Sequence, residues 1–148
     1  HFLTPDMRIP VVPFFISGHV PPLPSARRCF ELGQAVGRAI ESWTENKRVV
    51  VMGSGSFSLE VGGPRMAPGR PDCVPDPDWC TRVIKLLEAQ NVDTLIKEAT
   101  EHQMLKAGNV GGELLNWIAM LGAIGARKPK YVAPQMQNGH AYGVWRWN

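Results

Sequence analysis

Two short apolar runs set either side of an amphipathic helix pattern constrain this chain more than any other feature. Ile9 to Ile16 reads I-P-V-V-P-F-F-I, nearly continuous in apolar residues. Such a run suits a strand covered on both faces. Pro10 and Pro13 place it near an edge or near strand ends, because proline gives no N–H to a ladder. Gly18 to Pro24 is Gly- and Pro-rich and reads as a loop. Ser25 is a helix-capping residue, and Phe30, Leu32, Ala35, Val36, Ala39 and Ile40 then recur at helical spacing. An amphipathic helix is expected over Ser25 to Trp43. Glu45-Asn46-Lys47 turns the chain, and Arg48 to Met52, R-V-V-V-M, reads as a second buried strand. Strand, helix, strand is a βαβ-like unit. The expected fold is α/β, a central and mostly buried sheet flanked by helices. The first run lies close to His1, so the sheet is expected to be incomplete on its N-terminal side, as in a fragment of a larger domain.

The rest of the chain alternates loops and helices. Gly53 to Pro75 is Gly- and Pro-rich without a period, and loops of that length in compact domains are often functional. Trp79, Val83, Leu86 and Leu87 share one face of a helix beginning near Asp78, and a short helix follows over Val92 to Thr100. Gly108 to Gly112 breaks the chain before a strongly apolar helix over Glu113 to Leu121. Tyr131-Val132 and Gly143-Val144-Trp145 read as late strands, and Trp117, Trp145 and Trp147 as core. The formal charge of +3 is mild and there is no polybasic tract, so nucleic acid is not the expected partner. No apolar run reaches the length of a membrane span, and the first residues lack the pattern of a signal peptide. Cys29, Cys73 and Cys80 form no C-x-x-C pair and read as free thiols, which suits a cytoplasmic location.

Three features carry candidate chemistry. Gly53-Ser54-Gly55-Ser56-Phe57-Ser58 follows the second apolar run directly. It is not a dinucleotide fingerprint, since Ser58 stands where the third glycine belongs, and neither Ser54 nor Ser56 makes a G-x-S-x-G elbow. Two readings stay open: a tight turn, or a site loop beyond the carboxyl end of a strand. Glu113 opens the apolar helix. Taken alone it reads first as a partner of the helix dipole and second as a metal ligand at a cleft. The histidines His1, His19, His102 and His140 form no H-x-H or H-x-x-x-H pair. His19 and His140 sit in Gly-flanked, loop-like settings and are stronger site candidates than His102.

Several of these segments, in order, resemble one family. They are I-P-V-V-P-F-F-I at Ile9 to Ile16, P-L-P-S-A-R-R-C-F-E-L-G at Pro22 to Gly33, V-V-V-M-G-S-G-S-F-S at Val49 to Ser58, G-G-P-R at Gly62 to Arg65, G-G-E-L-L-N-W-I-A-M-L-G-A at Gly111 to Ala123, and the Asn138 to Gly143 region. Together they resemble the C-terminal half of the class III extradiol ring-cleavage dioxygenases of the protocatechuate 4,5-dioxygenase β-subunit type. The resemblance implies cleavage of a catecholic aromatic acid, such as protocatechuate or gallate, with O2 at a mononuclear Fe(II) held by two histidines and a carboxylate.

The implied carboxylate is Glu113, which reverses the order of its two readings. The implied histidine ligands lie in the family's N-terminal half, so that half is an expected partner, along with a homo- or hetero-oligomer. Ser54, Gly55, Ser56 and Phe57 are expected to shape the substrate pocket, with Asn138 lining it. The family's acid–base histidine falls at Leu59, which cannot move a proton. His140 is the expected substitute. Leu59 also leaves two alternatives: a parent enzyme whose substrate needs less acid–base help, and a catalytically silent structural subunit of the same fold. A general ligand-binding α/β module would need neither Glu113 nor iron. An exposed apolar edge is expected where the absent half would dock.

Overall fold

The structure is a computed structural model that describes residue 6, residues 8–125 and residues 127–146. His1 and Trp147, both named above, lie outside the described residues.

Helix α1, Ala26–Glu41, begins where expected, with Ser25 Oγ accepting the Arg28 N–H at 3.3 Å. A two-strand hairpin follows, β1 Glu60–Val61 against β2 Asp72–Cys73, antiparallel with Glu60 opposite Cys73. Helix α2, Pro77–Glu88, has proline in its first turn and is capped by Asp76, whose carboxylate accepts the Trp79 N–H at 3.0 Å. The short helix expected over Val92 to Thr100 is α3, Val92–Glu98, and a further helix that the sequence reading did not include, α4, Glu101–Lys106, follows at once, capped by Thr100. A 3₁₀ turn, Gly111–Glu113, leads into α5, Leu114–Ile124. The chain ends in a hairpin, β3 Tyr131–Gln135 against β4 His140–Val144, antiparallel with Gln135 opposite His140.

The fold is α/β, with α5 at its centre. Leu114, Leu115, Trp117, Ile118, Met120, Leu121 and Ile124 of α5 are all buried. A helix apolar on nearly every side is satisfied only by neighbours on nearly every side. Each such side chain stabilises the fold by about 1.5–3 kcal/mol relative to exposure. Helix α1 packs on α5 at backbone distance. A Cβ on Gly33 would collide with the Ala119 carbonyl, and one on Gly122 with the Phe30 carbonyl. Glycine at both positions lets the two helices approach as closely as they do.

One expectation is corrected. Ile9–Ile16 and Arg48–Met52 were expected as buried strands of a central sheet. Neither carries a strand ladder, and the described sheets are the two antiparallel hairpins. Both segments are largely exposed: Val12 77%, Phe15 89% and Val50 79%. Only Ile16 and Val51 pack against the core. An apolar run reports a demand for cover. It does not supply the neighbouring strands that would meet the demand, and among the described residues none does. The exposed apolar edge expected above is therefore present on these two segments.

Candidate functional site

Glu113 sits at the junction of the 3₁₀ turn and α5, where it is the N-cap residue by position but makes no capping bond to that helix. Its carboxylate reaches across to the Gly53–Ser58 loop, where Oε2 accepts the Ser56 N–H at 2.9 Å. Two neighbours on α5 grip the same loop: Asn116 Nδ2 donates to the Ser54 carbonyl at 2.8 Å and Trp117 Nε1 donates to the Gly55 carbonyl at 2.9 Å. Three successive loop residues are thus tied to the first turn of one helix. The approach requires glycine at position 55, because a Cβ there would stand 2.5 Å from Glu113 Cβ and 2.6 Å from its carbonyl oxygen.

A second close approach brings His19 in. A Cβ on Gly18 would stand 2.6 Å from the Gly112 carbonyl oxygen, so the two backbones touch. His19 follows Gly18 and places its Nε2 3.7 Å from Glu113 Oε1, with the two side chains 49% and 27% exposed. Both residues line a cleft of ≈ 350 Å³, together with Phe14, Phe15, Ser54 and Asn116. Carboxylate oxygen and imidazole nitrogen are donors that suit Fe(II). With Oε2 engaged by Ser56, Oε1 is the oxygen beside the second donor. Among the described residues no group of three or more His, Cys, Asp or Glu side chains converges on a metal site.

The loop and the α5 entrance are built from the segments G-S-G-S-F-S and G-G-E-L-L-N-W, and the match of the chain as a whole places them in a family. Residues 1–145 match LigB, the catalytic LigB subunit of aromatic ring-opening dioxygenase. The chain belongs to the LigB family.

The family resemblance read from the residues is borne out at this level. Gallate dioxygenase of Pseudomonas putida is 30% identical over 86% of this chain and 37% of its own length. The 2,3-dihydroxyphenylpropionate/2,3-dihydroxicinnamic acid 1,2-dioxygenase of Burkholderia vietnamiensis is 30% identical over 82% of this chain and 50% of its own. That of Paraburkholderia phymatum is 47% identical over a shorter stretch, 40% of this chain and 18% of its own length. The LigB-family chain therefore spans half the length, or less, of these curated relatives. Among the described residues no helix is long and apolar enough to cross a membrane.

Of the residues singled out in the sequence, His19, Ser54 and Glu113 line the cleft of this LigB-family chain. Gly55 and Ser56 support it from behind through backbone bonds to α5. Phe57 is fully buried and meets the Trp117 ring edge-on at 5.1 Å, so it anchors the loop in the core. Asn138 and His140 are not in the cleft lining. They belong to the final hairpin, which touches the far end of the loop. The Gly139 carbonyl accepts the Phe57 N–H at 2.7 Å and the Ser58 N–H at 3.1 Å. His140 Nδ1 lies 3.2 Å from the Asn138 carbonyl, and its ring meets Tyr142 edge-on at 5.3 Å. Leu59 uses its carbonyl to accept the Val110 N–H at 3.0 Å and is likewise outside the cleft lining.

Sequence reasoning singled out His19 for its Gly-flanked loop setting, and the structure places it at the cleft, where Gly18 lies against Gly112; it passed over Asn116. Asn116 carried the weaker sign of a polar residue one turn into an apolar helix.

A polar network holds the lower part of the loop. Ser58 Oγ donates to the Ala107 carbonyl at 3.0 Å and accepts the Asp76 N–H at 2.8 Å. Burial acts to raise the Asp76 carboxyl pKa. Hydrogen bonds from Lys106, Trp79 and Gln103, with the Lys106 charge, outweigh it and hold the group below its usual value. Glu60 is buried and accepts the Asn109 N–H at 2.9 Å, which fixes the turn leading to Glu113.

Proposed function

We propose that this chain is the C-terminal part, residues 1–148, of the catalytic domain of an extradiol dioxygenase that opens a catecholic aromatic acid such as protocatechuate or gallate with Fe(II) and O2. The observation that carries the reading is Glu113, a carboxylate at a cleft, fixed by Ser56 and set beside His19. Family membership and the printed activities of the relatives, on gallate and on dihydroxyphenylpropionate, support the same reaction class.

Within that reading each residue has a task. Glu113 supplies the carboxylate ligand. The chemistry supplied by bound Fe(II) is that of a two-histidine, one-carboxylate centre with positions left for a bidentate catecholate and for O2. Ser54, Gly55 and Ser56 fix the direction of the carboxylate and form one wall, and Phe57 locks that wall to the core. Phe14 and Phe15 supply apolar surface at the cleft for a ring. Asn138 and His140 are assigned to the far side of the loop, with His140 as the proton donor. That role requires the intact site to extend over the final hairpin. The N-terminal half of the domain supplies the remaining ligands and covers Ile9–Ile16 and Arg48–Met52, whose exposed apolar side chains need a partner. The free thiols Cys29, Cys73 and Cys80 support a cytoplasmic setting.

Leu59 favours a second reading, a catalytically silent structural subunit that pairs with an active one. The test is made on the full-length parent, expressed anaerobically with Fe(II), by iron content and oxygen uptake with protocatechuate and gallate. Stoichiometric iron, lost on Glu113→Gln, is the expected result. An iron-free wild-type protein would favour the silent subunit. Iron retained in Glu113→Gln would overturn the ligand assignment. Unchanged turnover in His140→Ala removes that residue from proton transfer.

A further inference from the structure

We infer that Asn116 is a specificity-determining residue: its side-chain oxygen accepts a hydrogen bond from a ring hydroxyl of the substrate, beyond the two oxygens that the proposed iron would take. The inference rests on the proposed reaction and names the residue that sorts substrates within it.

Asn116 lies three residues after Glu113 and lines the same cleft. Side chains three apart on a helix are neighbours, about 5–6 Å apart at their Cβ atoms. An aromatic ring spans that distance, so a ring held at Glu113 presents its next substituent to Asn116.

The chemistry of its partner fixes which way the amide faces. Nδ2 stands 2.8 Å from the Ser54 carbonyl. A carbonyl only accepts, so the NH2 end must face it and Oδ1 lies on the other side of the amide. Among the described residues no donor engages Oδ1. Asn116 is half-buried, and an acceptor in that setting gains from a donor brought by a ligand. The bond to Ser54 already holds the side chain, so little rotamer freedom is lost when a ligand arrives.

The charge around this acceptor sets what it reads. Asn116 Oδ1 and the Glu113 carboxylate both offer electron-rich oxygen one helical turn apart. That arrangement suits an O–H donor and repels a carboxylate. The carboxyl group of a catecholic acid is therefore turned away from α5, and a hydroxyl is turned toward Asn116.

The test uses the full-length parent loaded anaerobically with Fe(II), and two substrates that differ by one ring hydroxyl, gallate and protocatechuate. Wild type is expected to have the higher kcat/KM with gallate. Asn116→Leu has a similar volume and no polar atom, and Asn116→Ser is a second, smaller variant should leucine unsettle the loop. In each, the gallate-to-protocatechuate ratio of kcat/KM should fall by about 2- to 12-fold, the worth of one ordinary hydrogen bond. Iron content should not change. A residue that only held Ser54 would lower both substrates together and leave the ratio as it was.

An unchanged ratio in iron-loaded variants would overturn the inference and leave the Glu113 reading standing. So would an iron-loaded wild type that does not favour gallate. An iron-free wild type would sink the Glu113 reading, and the role of Asn116 with it.

Discussion

Gly55→Ala tests whether the loop and α5 are held together by close backbone approach. The new Cβ would stand 2.5 Å from Glu113 Cβ and 2.6 Å from the Glu113 carbonyl oxygen. Carbon atoms in ordinary contact are about 3.5–4.0 Å apart, so loop and helix must separate by about 1 Å. A shift of that size breaks or bends the three bonds that join them: Ser56 N–H to Glu113 at 2.9 Å, Asn116 to Ser54 at 2.8 Å and Trp117 to Gly55 at 2.9 Å. At about 0.5–1.5 kcal/mol net for each bond, the loss is about 2–4 kcal/mol. For a chain of this length that lowers the unfolding midpoint by roughly 6–12 °C. Metal affinity should fall as well, because Glu113 loses the donor that aims it. Gly62→Ala is the control. Its φ of +63° makes alanine unfavourable, yet nothing lies within 4 Å of the new Cβ. Backbone strain there costs about 1–2 kcal/mol, with no effect on metal binding. Urea or thermal unfolding of the two variants, with the iron content of the full-length parent, decides. Equal destabilisation with iron content unchanged in Gly55→Ala would refute the reasoning.

Asp76→Ala removes the cap of α2 and the acceptor of Lys106 and Gln103, and should destabilise the chain by about 1–2 kcal/mol in urea unfolding at neutral pH. The folded-state pKa of Asp76 is lowered, so its contribution is present above the unfolded carboxyl value and is lost as pH falls through the folded one. The difference between wild type and variant should therefore shrink in acid, and a constant difference from pH 7 down to about pH 2 would exclude the linkage. Burial pushes the Cys80 thiol up to about 11, while Cys73 is only half-buried. A thiol reagent at neutral pH should modify Cys73 first and Cys80 only on unfolding, and early labelling of Cys80 by peptide mapping would contradict the packing of α2.

What the sequence made legible follows from which signals are local. Ser25 and the period from Phe30 to Ile40 specify α1 because capping and amphipathic spacing are decided within one helix. The Gly-Gly-Glu start of α5 was legible for the same reason, although the structure sets Glu113 in the 3₁₀ turn before the helix. Helix α4 was not. The expected helix ended at Thr100, and only the Thr100 hydroxyl accepting the Gln103 N–H reveals a second start there.

The strand expectation failed on a non-local quantity. Ile9–Ile16 and Arg48–Met52 have the composition of covered strands, but a strand exists only through hydrogen bonds to another, and such bonds cannot be read from the run itself. The site divides along the same line. Glu113 was visible as an acid at a helix entrance, and Ser54 to Ser56 as a flexible loop. His19 was visible as a Gly-flanked loop histidine, but its place beside Glu113 became visible only when Gly18 and Gly112 were seen in contact across the chain. The loop shows how the two levels combine. Its glycines permit close approach, a local property. The partners at the start of α5 lie some sixty residues away, a sequence separation of 57 for Ser56 and Glu113 and of 62 for Gly55 and Trp117. A site assembled in this way depends less on any one motif than on two permissive glycines, Gly18 and Gly55, meeting the same 3₁₀ turn at the entrance of one buried helix.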